Sequence, residues 1–146
     1  MKRIFITGLL AVLVAASAFA AETKNINLVT LNNFKSQFTE AADVNWTTTT
    51  NFAKATFTLN NQQMEAFYNI DGDMIGTSKK ITLEELPVLA KREFAKNFNG
   101  YTVNEAIHFK GADEEAYYIR ANNEKESVIV KVSLDQYLSI FKKVKK

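Results

Sequence analysis

The amino-acid sequence predicts an α+β fold, a tandem repeat of helix plus antiparallel β-meander with two helices packed on one face of an antiparallel sheet. Three observations predict it. Apolar residues recur at helical spacing in two stretches, Leu28 to Phe38 and Leu86 to Phe98. Between and after them lie segments with strict two-residue alternation, such as FAKATFTL and MEAFYNI. Turn-forming pairs punctuate those segments, with NNQQ in one half answered by NNEK in the other.

Taken in order, Asn27 can cap a first helix in which Leu28, Leu31, Phe34 and Phe38 share one face. VNWTTTT is β-branched and aromatic, and alternation assigns Val44 and Trp46 to the core. In the next hairpin, Asn61-Gln62 as a two-residue turn pairs Phe57 with Ala66 and Ala55 with Tyr68. A second helix starts at TLEELP, where Thr82 and Glu85 have capping-box spacing and Pro87 fits only a first turn. Gly100 supplies a left-handed stop. Beyond it, Asn123-Glu124 as the turn pairs Ile119 with Val128 and Tyr117 with Val130, and sets Tyr118 opposite Ile129. The domain organisation that follows is a leader over 1–20 and one domain over 21–146, made of repeats at about 27–81 and 82–146.

The leader has Lys2 and Arg3, an apolar run from Ile4, and the small-x-small triplet Ala18-Phe19-Ala20. This predicts a cleavable signal peptide cut after Ala20, and hence a periplasmic or secreted protein without a membrane anchor. The chain has no cysteine. Disulfides and a lipid-attachment thiol are therefore excluded, and stability must come from the core. Loss of Lys2 and Arg3 leaves 16 basic against 16 acidic residues. That balance removes the electrostatic basis for nucleic-acid binding.

YNIDGDMIGT, residues 68–77, places Asp71 and Asp73 around Gly72. Counted from Asn69 as a calcium loop, the sixth residue is Met74 and the twelfth Lys80, where glycine and glutamate are required. A hairpin bend is the reading that fits. His108 is the only histidine, which is too few for an ordinary zinc site. Asp113, Glu114 and Glu115 read as a solvated loop, and no serine sits in a nucleophile elbow. The expectation is a non-enzymatic protein with no cofactor and no metal.

If the helices cover one sheet face, the other carries Phe67, Tyr118, Arg120, Ile129 and Lys131, with His108 able to join from a neighbouring strand. Aromatic, arginine and aliphatic side chains together have the composition of a protein-binding patch. Phe67, Tyr118, Arg120 and Ile129 are therefore the expected partner-binding residues. Alanine at Phe67 and Tyr118 is expected to abolish partner capture without disturbing the fold.

The order Phe34 to Phe38, Ala41 to Trp46, Tyr68 to Asp73 and Leu86-Pro87, followed by a second round, resembles the PepSY-like, β-lactamase-inhibitor-protein-like family of small exported bacterial proteins. The resemblance implies the tandem fold above, with an open concave face for a protein partner. It implies an inhibitor of an exported peptidase or β-lactamase-like enzyme as one form of that function. It carries over no contact residue, because no contact motif matches position by position. Two other readings remain open from the residues: an envelope structural or stress protein with no discrete partner, and a small-ligand or metal binder using residues 69–73.

Overall fold

The structure, a computed structural model, describes residues 26–146. The predicted signal peptide lies outside the described residues. Helix α1 spans Leu28–Gln37 and is followed by strands β1 (Ala42–Thr48), β2 (Phe52–Leu59), β3 (Gln62–Asn69) and β4 (Met74–Ile81). A 3-10 turn (Leu83–Glu85) and helix α2 (Val88–Asn97) lead to β5 (Thr102–Gly111), β6 (Glu115–Asn122), β7 (Glu126–Ser133) and β8 (Leu138–Lys145). All eight strands form one antiparallel sheet in chain order, β1 to β8.

This corrects the expected tandem α+β repeat. The protein is mostly one continuous sheet, and its two helices are minor elements of ten residues each. A ten-residue helix is about 15 Å long, whereas eight strands span roughly 34 Å. Two such helices cannot make a layer of their own. Nor do the halves stand apart, because β4 pairs with β5 from Gly76↔Gly111 to Ile81↔Ala106. One buried cluster crosses that boundary, joining Phe52 and Phe67 to Ile107, Phe109, Ala116, Tyr118 and Ile129.

The other two clusters hold the helices. Phe34 of α1 meets Phe57 edge-on at 5.0 Å and Trp46 at 5.2 Å, over Ala55, Ala66 and Tyr68. Ala90 and Phe94 of α2 pack with Ala106, Ile119, Val128, Val130 and Val132. Asn27 caps α1 by accepting from Val29 N at 2.9 Å. The second helix begins later than the sequence implies. Thr82 N donates to Glu85 Oε2 at 2.7 Å, but this box closes only the 3-10 turn. Leu86 is extended (φ −67°, ψ 149°), as the residue before a proline prefers, and α2 starts after Pro87.

Both hairpin registers differ from expectation by two residues. Asn60 and Asn61, at φ +51° and +61°, form the β2–β3 turn, so Phe57 faces Met64 and Ala55 faces Ala66. At β6–β7, Asn123 Oδ1 accepts from Lys125 N and Glu126 N, which makes a longer turn. Ile119 consequently faces Val130, Tyr118 faces Lys131, and Arg120 faces Ile129. A shift of two preserves the side of every residue. In β1 a bulge between Ala42 and Asn45 breaks alternation. Trp46 keeps its core place while Val44 is exposed.

The Asp71-Gly72 segment is a bend. Asn69 Oδ1 accepts from Asp71 N at 3.0 Å and from Asp73 N at 2.8 Å, and Gly72 has φ +94°. The bend docks under α1, where Asn33 Nδ2 donates to Gly72 O at 2.8 Å. A Cβ on Gly72 would lie 2.9 Å from both Thr30 N and Val29 Cγ1, whereas one on Gly100 (φ +83°) would meet nothing within 4 Å. Gly72→Ala should therefore cost more than the ~1–2 kcal/mol of left-handed strain expected for Gly100→Ala. Chemical denaturation of the two variants checks this, and equal losses would mean that the bend does not press on the helix.

Candidate protein-binding face

The sheet side opposite the helices is built by alternation and register. Across β2 to β6 it carries Lys54, Glu65, Phe67, Ser78, Lys80, Glu105, Ile107, Phe109, Tyr118 and Arg120 in paired rows. Ile129, Lys131 and Lys142 extend these rows onto β7 and β8. The four residues expected to bind a partner do share this side. Their depth differs from expectation: Phe67 is fully buried, Tyr118 is 2 % exposed and Ile129 is 5 % exposed, while Arg120 is half-buried.

No helix accounts for that burial. Phe52 and Phe67 lie 6.3 Å apart between ring centres, Phe67 and Phe109 6.4 Å, and Tyr118 stands edge-on to Phe141 at 5.4 Å. The aromatic residues of β2, β3, β5, β6 and β8 thus cover one another, with the Phe109 ring lying over Gly76, where an added Cβ would come within 2.8 Å of it. Phe67 and Tyr118 are structural here, and alanine at either removes part of the core. The expectation that the double alanine variant keeps its fold is corrected on that ground.

Polar groups ring this apolar floor. Tyr118 Oη donates to Glu114 Oε1 at 2.8 Å, and Lys131 Nζ pairs with the same oxygen. Lys54 Nζ meets Glu65 Oε1 at 2.8 Å, and Ser78 Oγ donates to Glu65 Oε2 at 3.2 Å. Arg120 Nη2 reaches Glu105 Oε2 at 3.5 Å, while Arg120 Nε is buried with no hydrogen-bond partner. Glu114 belongs to the acidic run that sequence alone assigned to a solvated loop. The signal that could have recovered it was Lys131 opposite Tyr118, which the two-residue register error concealed.

Burial, with the Glu114 hydrogen bond and charge, pushes the Tyr118 phenol well above the ordinary tyrosine range. On the helix side, burial raises Tyr68 to about 12, and its hydroxyl donates to Gln37 Oε1 at 2.9 Å. His108 is also on the helix side, away from the position it was expected to share. It stacks on Tyr117 at 4.6 Å and bonds Glu115 Oε1 at 2.9 Å. Among the described residues, no group of three or more His, Cys, Asp or Glu could hold a metal ion. None of the described helices is long and apolar enough to cross a membrane.

With this geometry in place, the solved structures decide the fold. A BLIP-like protein from Bacteroides fragilis matches with a TM-score of 0.70 at 11% identity, over 85% of this chain and 89% of the other. The chain has a BLIP-like fold. A DUF2874 family protein from Bacteroides ovatus matches with a TM-score of 0.73 at 13% identity, over 84% and 89% of the two chains. A protein provisionally assigned to the periplasm of Bacteroides eggerthii matches with a TM-score of 0.73 at 13% identity, over 83% and 89%. No family model and no curated protein matches the sequence. These likenesses carry the BLIP-like half of the family resemblance and leave the PepSY-like half without support.

The phenols set an alkaline limit. Below about pH 10 folded and unfolded chains hold the same phenolic protons. Above it the unfolded chain ionises Tyr68 and Tyr118 while the folded protein does not, so stability falls as pH rises through that window. Unfolding free energy measured against pH should fall less steeply above pH 10 in Tyr118→Phe. An unchanged slope would mean that the Tyr118 phenol is not buried.

Proposed function

We propose that the protein is an exported, non-catalytic protein-binding module, acting on an enzyme partner in the manner of an inhibitor, through the helix-free side of its sheet. The observation that carries this reading is a rim of half-buried charges around an apolar floor that no described helix covers. The BLIP-like fold supports it from outside the chain. Arg120 makes direct contact with the partner. Phe67, Tyr118 and Ile129 serve as the rigid floor that presents it, which reduces the ordering cost of association.

Placement outside the cytoplasm belongs to the same reading. It is supported by the leader pattern of residues 1–20 and by the neighbour provisionally assigned to the periplasm.

Variants that disturb the face without touching its floor test the reading. Thr56→Arg and Lys80→Glu alter the helix-free side, whereas Lys35→Glu and Lys96→Glu alter the helices. The protein and its variants serve as bait in envelope and culture-fluid extract, and each captured enzyme is then assayed with and without the protein. One exported enzyme, captured and inhibited by wild type and by both helix variants but lost with both face variants, is the expected result. Loss with the helix variants and retention with the face variants would overturn it.

A further inference from the structure

The charges on the helix-free side are unequal. On β2 to β8 that side carries Lys54, Lys80, Arg120, Lys131 and Lys142, while its carboxylates are Glu65, Glu105 and the turn residue Glu114. Glu65 takes Lys54 at 2.8 Å and Glu114 takes Lys131, so two of the cations are neutralised at short range. Arg120 holds Glu105 only at 3.5 Å, the limit of a hydrogen bond. Among the described residues, Lys80 and Lys142 have no carboxylate within salt-bridge reach.

The register sharpens this imbalance. Arg120 pairs with Ile129 on one side, and Ile129 pairs with Lys142 on the other. The two cations therefore flank one buried isoleucine, two strand spacings or roughly 10 Å apart at the backbone. Side chains of this length can converge on a single anion at the rim of the apolar floor, beside Phe141, which reaches over β7 to Tyr118. Arginine has five N–H donors in a fixed fork, and here Nε is buried and unpartnered. The side chain is 32% exposed although Nε itself is buried, so the donors open to an incoming group are on the Nη atoms, and Nη2 touches Glu105 only at 3.5 Å.

Resting on the binding reading above, we infer that Arg120 and Lys142 form a carboxylate-recognition subsite, filled by an acidic side chain of the protein partner. A carboxylate accepts two N–H donors from the guanidinium fork and one from Lys142, a pairing that neither lysine nor a neutral amide reproduces. Glu105 stays on the far side of Arg120 and holds the guanidinium plane. The apolar floor beside them excludes water and strengthens the pair by lowering the local dielectric. Lys80, one row away on β4, adds long-range attraction for the same acidic surface.

The probe is a short fluorescent Glu-rich peptide, with a Gln-for-Glu peptide as its neutral counterpart. Wild type should bind the Glu peptide at low salt, weaken as salt is added, and ignore the Gln peptide. Arg120→Gln should weaken binding by about tenfold or more, Lys142→Gln by less, and Arg120→Lys should recover only part of the loss. The Arg120 Nε–H resonance in an NMR spectrum should shift on titration. Equal binding of both peptides, no binding by wild type, or an unmoved Arg120 Nε–H would each overturn the subsite. Capture that depends on Thr56 and Lys80 but not on Arg120 and Lys142 would leave the binding face standing and this subsite wrong. Capture independent of all four would remove both.

Discussion

The rest of the structure depends on how the helix-free side of the sheet is buried. An eight-stranded antiparallel sheet has two faces, and two ten-residue helices can shelter only parts of one of them. The other is closed by its own aromatic residues, Phe52, Phe67, Phe109, Tyr118 and Phe141, drawn from strands as distant as β2 and β8. This closure makes the two faces unlike. One becomes a helix-backed core, and the other an apolar floor rimmed by charge. The same cluster welds β1–β4 to β5–β8, which is why the halves do not behave as independent units.

That floor changes the meaning of the polar groups around it. Ion pairs at 14–32% side-chain exposure, such as Lys54–Glu65 and Arg120–Glu105, are partly desolvated. Such pairs contribute little net stability, because desolvation offsets much of their attraction. They do fix direction. Glu114 ties the Tyr118 hydroxyl and Lys131 together, and Glu65 ties Lys54 to Ser78. Arg120 is held least completely, by one 3.5 Å contact from Nη2 on a partly exposed side chain, which leaves its guanidinium with donor capacity for an incoming acid.

Much of this was legible in the sequence, and its failures share a physical origin. The Asn27 cap, the Phe34 and Phe94 positions, the bend at Gly72 and the strand alternation are local, and local chemistry determines them. Register was wrong by two in both hairpins because turn geometry, positive φ at Asn60 and Asn61 and the Asn123 side-chain bonds, decided between equivalent pairings. An even slip keeps every side chain on its face, so Phe67, Tyr118, Arg120 and Ile129 were still grouped correctly. Alternation says which side a residue points to and nothing about what covers that side. The burial of Phe67 and Tyr118 depends on rings from other strands, Phe109 lying over Gly76 and Phe141 far along the chain, and no short window contains that information. The bulge that exposes Val44 is likewise set by pairing with β2.

The most direct measurement is the unfolding free energy of Phe67→Ala by denaturant titration, with the slope of the transition recorded alongside. Phe67 has no exposed surface and touches Phe52 and Phe109 on a face without helices. The account predicts a loss of about 3–5 kcal/mol in a still cooperative transition, as for a large side chain removed from a close-packed interior. A loss within about 0.5 kcal/mol would be the behaviour of an exposed residue. It would contradict the self-closed face on which the binding reading rests.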